Sequence, residues 1–395
     1  MKINWQTISK QTFLNEYWQK KPIILKNAVM DFEDPIDANE LAGLAMEEFI
    51  DSRLISNINN QWKVEHGPFG NYDHLTESHW SLLVQGVDNW FEEVNELKQL
   101  VDFLPHWRID DVMISYSTKG AGVGAHLDQY DVFIIQGQGQ RRWQAGEVNT
   151  ELKQQETVAD LLQLDRFEPL IDQVLEAGDI IYIPPFSPHK GETVKNCLNY
   201  SIGLRAPSAQ ELLSEFADYM IDNELGNKRY NDSIISNSNL SNTTASSMLT
   251  QTEVKQLKTM LIEAVEQGDE FELFINQKLT KATRELNLND ASYLSLEEIQ
   301  DQLEQTDAIL VKTLGIKTSI LQKPNGLVFF CNGERFNFNS QQLEFITLLN
   351  SEEEIMVPQL KTMANWLENN QFITTLVSHG YWYIELKNGL QDENC

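Results

Sequence analysis

The chain is poor in cysteine, poor in basic charge and without a long apolar run. Its three cysteines (Cys197, Cys331 and Cys395) are scattered through 395 residues. They are odd in number and form no Cys-x-x-Cys pair, so they support neither a disulfide framework nor a cysteine-ligated zinc site. Thirty Lys and Arg stand against 59 Asp and Glu, for a formal charge of -29. That balance argues against a protein whose main business is binding bare nucleic acid or an anionic membrane, because both need a basic footprint. It suits a basic protein partner, and solubility alone would account for it equally well. No uncharged apolar span approaches the ~20 residues that cross a bilayer. The N-terminal stretch MKINWQTISKQTFLNEYWQKKP has no apolar core of a secretory signal. The expected location is the cytoplasm, with no membrane attachment.

What the chain does contain is ample core material. Hydrophobic residues make up 41% and aromatics 10%, enough for packed interiors, and the length predicts two or three domains. Residues 1–207 mix short helices with β-like runs such as DDVMISYS, YDVFIIQG, RRWQAGE, DIIYIPP and CLNYSIGLR. Short strands between glycine turns predict a barrel or sandwich with helices packed outside it. At Pro207 the pattern changes to long amphipathic helices, opened by a Ser208-x-x-Glu211 capping box and interrupted by the Ser/Asn/Thr-rich stretch 231–250, which reads as a flexible loop. Residues 208–290 thus form a helical unit, suited either to dimerisation or to packing within the chain. From 291 to 395 the order is a strand pair turning at Asn332-Gly333, then helical runs QQLEFITLL and VPQLKTMANWLENN, then an expected closing hairpin FITTLVSHGYWYIEL. This order suggests a winged helix. Its candidate reading helix has one lysine, Lys361, so contact with protein is expected in preference to direct contact with nucleic acid.

The chemistry concentrates in GVGAHLDQYDVFIIQGQGQRRW, residues 122–143. On a strand, residues i and i+2 share a face, so His126 and Asp128 should aim side by side into whatever the sheet encloses. A third ligand can come from LEAGDIIYIPPFSPHKGETV, where a Gly178-Asp179 turn feeds an apolar strand and a proline-stiffened segment carries His189. Two histidines and one carboxylate on one face of a metal leave three positions open, as a non-haem iron oxygenase needs. A lone His-x-Asp means little; the two segments together, each with the right surroundings, mean far more. His66, His74, His79, His106 and His379 lack partners at ligand spacing and read as turn or packing residues. Arg141 and Arg142 alternate faces, so one can point inward, where a buried guanidinium would pair bidentately with a carboxylate. A structural salt bridge is the competing role for either.

HLDQYDVFIIQGQGQRRWQ and LEAGDIIYIPPFSPHKGE together resemble the JmjC-type cupin oxygenases that depend on Fe(II) and 2-oxoglutarate. More narrowly they resemble the bacterial ribosomal oxygenases, and FLNEYWQKKPIILKNA resembles the way such domains begin. The resemblance is specific over residues 10–207 and looser beyond. It implies an α+β chain: a double-stranded β-helix (cupin/JmjC) barrel with outer helices, a helical dimerisation domain and a C-terminal winged helix. It further implies His126, Asp128 and His189 as iron ligands and Arg141, thirteen residues after the aspartate, as the anchor of the 2-oxoglutarate carboxylate. The implied reaction uses O2 to hydroxylate the β-carbon of an arginine in a basic large-subunit ribosomal protein, in a homodimeric enzyme. Gln140 departs from the pattern, since relatives tend to carry a further basic residue there. Three rivals remain at this point: a JmjC lysine demethylase on the same triad, a zinc or manganese cupin isomerase, and a non-catalytic binding module.

Overall fold

The apolar runs between glycine turns pair into two sheets. In the computed structural model, which describes residues 1–5, 8–231, 249–288 and 294–387, the larger sheet has eight strands. Their order is Ile23–Leu25, Ile180–Ile183, Asp131–Gln136, Cys197–Leu204, Ile109–Ser117, Trp80–Val84, Ser52–Ile58 and Gln61–His66. The smaller sheet has three strands, Ile171–Leu175, Gln140–Ala145 and His189–Lys195. The two face each other as a double-stranded β-helix, the expected barrel, with short helices outside. Nearly all of the loop expected over 231–250 lies outside the described residues.

A buried network fixes the strand that leads out of the His-x-Asp segment. Asp131 accepts from Arg108 Nη2 at 2.9 Å and from the Tyr182 hydroxyl at 2.5 Å. The Tyr182 ring packs against Phe13 and Phe133, with centroids 5.0 and 4.9 Å away. Burial of these rings adds area-dependent stabilisation plus a preferred edge-on geometry. At the other end, the Gly178-Asp179 turn is held by the Asp179 carboxylate, which accepts from the Asn27 and Glu176 backbone N–H groups and pairs with Lys26.

After Ser208, whose side chain caps the helix Ala209–Asp222 as part of a capping box, come the helices Gln251–Val265 and Glu270–Thr280. Phe216 of the first packs on Phe271 and Phe274 of the last. The helix Glu270–Thr280 in turn seats Leu273 against Val328 and Phe330 of the C-terminal strands. A second apolar core, including Ile299, Leu310, Phe329, Phe345 and Trp382, holds the winged-helix part together. Its strands Gly326–Cys331 and Glu334–Phe338 turn at Asn332 and Gly333, both in the left-handed region at φ 46° and 81°.

The C-terminal hairpin differs from the sequence expectation. FITTLVS is not the first arm of a closing hairpin; it belongs to the helix Trp366–Ser378, and only Trp382–Leu386 is a strand. The reason is spacing. Ile373, Leu376 and Val377 fall on one helical face and are buried in the C-terminal core, and that burial overrides the β preference of Ile, Thr and Val. Among the described residues, no helix is long and apolar enough to cross a membrane.

Candidate active site

The His-x-Asp segment does not form the expected regular strand. Ladder pairing begins at Asp131, and His126 is held instead by a single antiparallel bridge to His189. Each of these two histidines donates its backbone N–H to the other's carbonyl at 3.0 Å. The bridge joins the two sequence-distant segments directly and sets the ring centroids 4.1 Å apart. Asp128 is reached through Leu127, whose backbone is clamped on both sides by one amide. Gln154 Oε1 accepts from Leu127 N at 2.9 Å, and Gln154 Nε2 donates to Leu127 O at 3.1 Å. Phe186 N donates to Asp128 O at 2.8 Å and completes the hold.

The result is a cluster of His126, Asp128 and His189 whose ligand atoms lie within 4.8 Å of one another. Asp128 Oδ2 is 3.4 Å from His189 Nε2 and 3.9 Å from His126 Nε2. Ring orientation is fixed from behind. His126 Nδ1–H donates to Gly124 O at 3.2 Å, and His189 Nδ1–H donates to Ser187 O at 3.0 Å. A carbonyl only accepts, so each Nδ1 carries a hydrogen and each Nε2 is turned to the shared space, the orientation expected of metal-binding histidines. Desolvation and the neighbouring His189 lower the His126 pKa to about 4. Burial pushes the Asp128 carboxyl up, but His126 and His189 outweigh it and hold it below its usual range. Near neutrality the trio therefore includes a neutral His126 imidazole and an ionised Asp128 carboxylate. Gly124, at φ +84°, permits the turn into the trio, since a Cβ there would sit 2.1 Å from Gln163 Nε2.

Arg141 and Arg142 part company as alternation requires. Arg142 lies outside and forms a fork with Asp172, both contacts at 2.6 Å. Arg141 is buried inside, at 4% exposure. Its Nη1 donates to Ser117 Oγ at 3.2 Å and to Asn199 Oδ1 at 3.1 Å, and its guanidinium lies 5.0 Å from the Trp143 ring centre. Gly191 makes the room, because a Cβ there would meet Arg141 Nε at 2.4 Å. Among the described residues no carboxylate pairs with this cation, and its Nε is buried with no hydrogen-bond partner. A buried charge in that state is costly unless something neutralises it, and burial pulls the Arg141 pKa below its usual value. The guanidinium is thus poised for an anionic ligand.

Trio and guanidinium line one cavity of about 450 Å³, a size suited to small-molecule sites. Sequence reasoning missed most of its wall, although a signal existed. On the strand Ile109–Ser117 every second residue faces the cavity (Asp111, Met113, Ser115 and Ser117), as do Asn199, Ser201 and Gly203 on its neighbour. Period two starting from an acidic residue was the available mark. Asp111 is buried; its Oδ2 accepts from Gly86 N at 3.1 Å and lies 3.3 Å from Arg284 Nε. Desolvation and the nearby Asp88 push its carboxyl up to about 6. Gln154 carried no signal, since its role rests on a tertiary contact to backbone.

Known proteins resemble this chain in sequence and fold. Residues 96–212 match the family model of the JmjC domain and residues 260–383 that of the ROXA-like winged helix. The chain is 41% identical over 384 residues to the ribosomal protein uL16 3-hydroxylase of Escherichia coli (strain K12), covering 96% of this chain and 98% of that one. It is 30% identical to a probable ribosomal oxygenase of Haemophilus influenzae, covering 92% and 91% of the two chains. The X-ray structure of E. coli ycfD superposes with a TM-score of 0.87 at 40% identity, covering 98% of this chain and 100% of that one. YcfD in complex with cobalt and 2-oxoglutarate superposes at 0.82, also at 40% identity, over 96% and 99% of the chains. With a JmjC barrel, a winged helix and relatives matched along more than nine-tenths of their length, the chain belongs to the JmjC-domain ribosomal oxygenases, enzymes of the 2-oxoglutarate-dependent dioxygenase class.

Proposed function

We propose that the protein is an Fe(II)- and 2-oxoglutarate-dependent hydroxylase of an arginine β-carbon in a large-subunit ribosomal protein, taken to be uL16 from the name of the E. coli relative. The observation that carries this reading is the buried, carboxylate-free Arg141 in one cavity with His126, Asp128 and His189. Two imidazoles and one carboxylate suit a divalent transition metal with open positions. We assign His126, Asp128 and His189 as its ligands and Arg141 as the anchor of the distal carboxylate of 2-oxoglutarate. Bound Fe(II) supplies activation of O2, coupling decarboxylation of 2-oxoglutarate to succinate with hydroxylation of the substrate. The chain supplies position and dryness. Ser117 and Asn199 aim the Arg141 guanidinium, and Val132, Ile134 and Trp143 give that part of the cavity an apolar lining.

Asp111 supports arginine as the target. A buried carboxylate on the same cavity wall is the group that would accept a guanidinium from a substrate, and binding a cation there needs the ionised form. Asp111 is ionised above its raised pKa of about 6 and neutral below it. KM for the protein substrate should therefore rise as pH falls through that value. In Asp111→Asn the rise should vanish and KM should stay high, by about 10- to 100-fold for a lost charge-assisted bond. Initial rates across pH, at saturating 2-oxoglutarate, check this.

In this reading residues 1–207 are the catalytic domain, 208–290 the helical unit and 291–395 the winged-helix part, and the enzyme is a cytoplasmic homodimer with no direct hold on nucleic acid. The helix Gln251–Val265 supports the dimer: it buries no residue within the chain and leaves Leu257, Leu261 and Ile262 at 38%, 68% and 45% exposure. Replacing one such leucine by aspartate in both copies removes about 3–6 kcal/mol of apolar burial. Leu261→Asp should therefore run as a monomer where the intact protein runs as a dimer, as read by light scattering behind a sizing column.

The test of the whole reading is mass spectrometry of ribosomal proteins from a strain lacking the gene, incubated with the protein, Fe(II) and 2-oxoglutarate. One oxygen gained on one arginine of a large-subunit protein is the expected result. Formaldehyde release with loss of a lysine methyl group would move the assignment to demethylation.

A further inference from the structure

The segment leading into the winged-helix part, together with Lys317 of that part, reaches the wall of the JmjC cavity. Beyond the helix Glu270–Thr280, Thr283 Oγ1 donates to Asp110 Oδ1 at 2.7 Å. Arg284 pairs through Nη1 with Asp51 Oδ2 at 2.7 Å. Its Nε lies 3.3 Å from Asp111 Oδ2 but is not aligned as a hydrogen bond, so that contact is Coulombic. Asn89 Nδ2 donates to the Glu285 carbonyl at 3.0 Å, and Lys317 Nζ donates to the Ile109 carbonyl at 2.7 Å. Residues 109, 110 and 111, the start of the strand that lines the cavity, are thus each met by a group from beyond residue 280. Arg284 also lines a second cavity, of about 620 Å³, between the two parts.

The geometry points to Arg284 as a positioning residue for substrate recognition: it holds the Asp111 carboxylate charged and aimed, so the segment leading into the winged-helix part completes the substrate-reading wall of the barrel. This rests on the reading of Asp111 as the acceptor of a cationic substrate side chain. A mere strut between modules would need no charge beside Asp111. The groups facing Asp111 are Asp88 and Asp110, which disfavour its ionisation, Arg284, which favours it, and the phenol of Tyr130 and the ammonium of Lys317, both of which feel its charge. Removing Arg284 removes the cation that offsets the two aspartates.

The test compares the full-length, Fe(II)-loaded protein with Arg284→Gln and Arg284→Lys, using unmodified uL16 as the probe substrate. For Arg284→Gln, KM for uL16 should rise by about tenfold or more, as when a buried charged group loses its partner. The pH at which KM climbs should also move upward, while kcat at saturating uL16 and KM for 2-oxoglutarate stay as in the intact protein. Arg284→Lys, which keeps the charge, should return the pH midpoint most of the way and keeps the test valid if the glutamine variant does not fold. An unchanged KM and pH midpoint in a folded variant overturns the inference. If the intact protein leaves uL16 unmodified, the substrate reading itself has failed, and the inference falls with it.

Discussion

Asp128→Ala yields a folded protein that neither consumes 2-oxoglutarate nor hydroxylates its substrate. Asp128 is partly exposed at the cavity, not a core residue, and its backbone ties through Gln154 and Phe186 are made by neighbouring main-chain atoms or its own carbonyl. Truncation therefore leaves the scaffold standing. What it removes is the only carboxylate of the trio, and with it the negative charge of the proposed metal site. Losing a Lewis acid worth several kcal/mol of charge stabilisation corresponds to at least about 10³-fold in rate. Activity and bound iron should disappear together while thermal unfolding changes little. Turnover near that of the intact protein would remove Asp128 from the ligand set.

Arg141→Met should separate activity from stability. The buried guanidinium has two neutral side-chain acceptors and no carboxylate among the described residues, so in the ligand-free protein it is a desolvation cost. An apolar side chain of similar length removes that cost, as replacement of buried charges often does. Without co-substrate, Arg141→Met should unfold at the same temperature as the intact protein or higher. With co-substrate the order reverses. An excess of 2-oxoglutarate about 100 times its Kd raises stability by about 2.7 kcal/mol through mass action, and the variant should lose that gain. KM for 2-oxoglutarate should rise by about 30-fold to several thousand-fold, from the 2–5 kcal/mol attached to one partner of a desolvated charge pair. A variant destabilised in the absence of ligand would mean that Arg141 is a structural member first.

Much of the barrel and its chemistry was legible because it is written in local patterns. Asp179 sits in a glycine turn ahead of an apolar strand, and alternation separates Arg141 from Arg142 whatever the rest of the fold does. The pairing of His126 with His189 could be anticipated from ligand chemistry, but its physical cause could not: the two residues meet through one backbone bridge and not through a strand carrying His126 and Asp128. The supports behind the site were equally hidden. Gln154 acts on the backbone of Leu127, Gly191 acts by leaving space for Arg141, and Arg284 acts from another module. Each role depends on a contact between sequence-distant groups. Asp111 was legible in principle, since the alternate residues Asp111, Met113, Ser115 and Ser117 share the cavity face. FITTLVS shows the opposite hazard: its β-branched composition suggested a strand, while its apolar spacing, which decided the outcome, was helical.

In the proposed reaction one cavity divides dioxygen between a substrate arginine and 2-oxoglutarate. The direct test runs the reaction under oxygen-18 gas with unmodified uL16 and follows the label in both products. One labelled atom is expected in a single uL16 arginine and one in succinate, formed in equal amounts, with neither product in Asp128→Ala. Oxygen drawn from water, or uL16 modified without succinate, would contradict it.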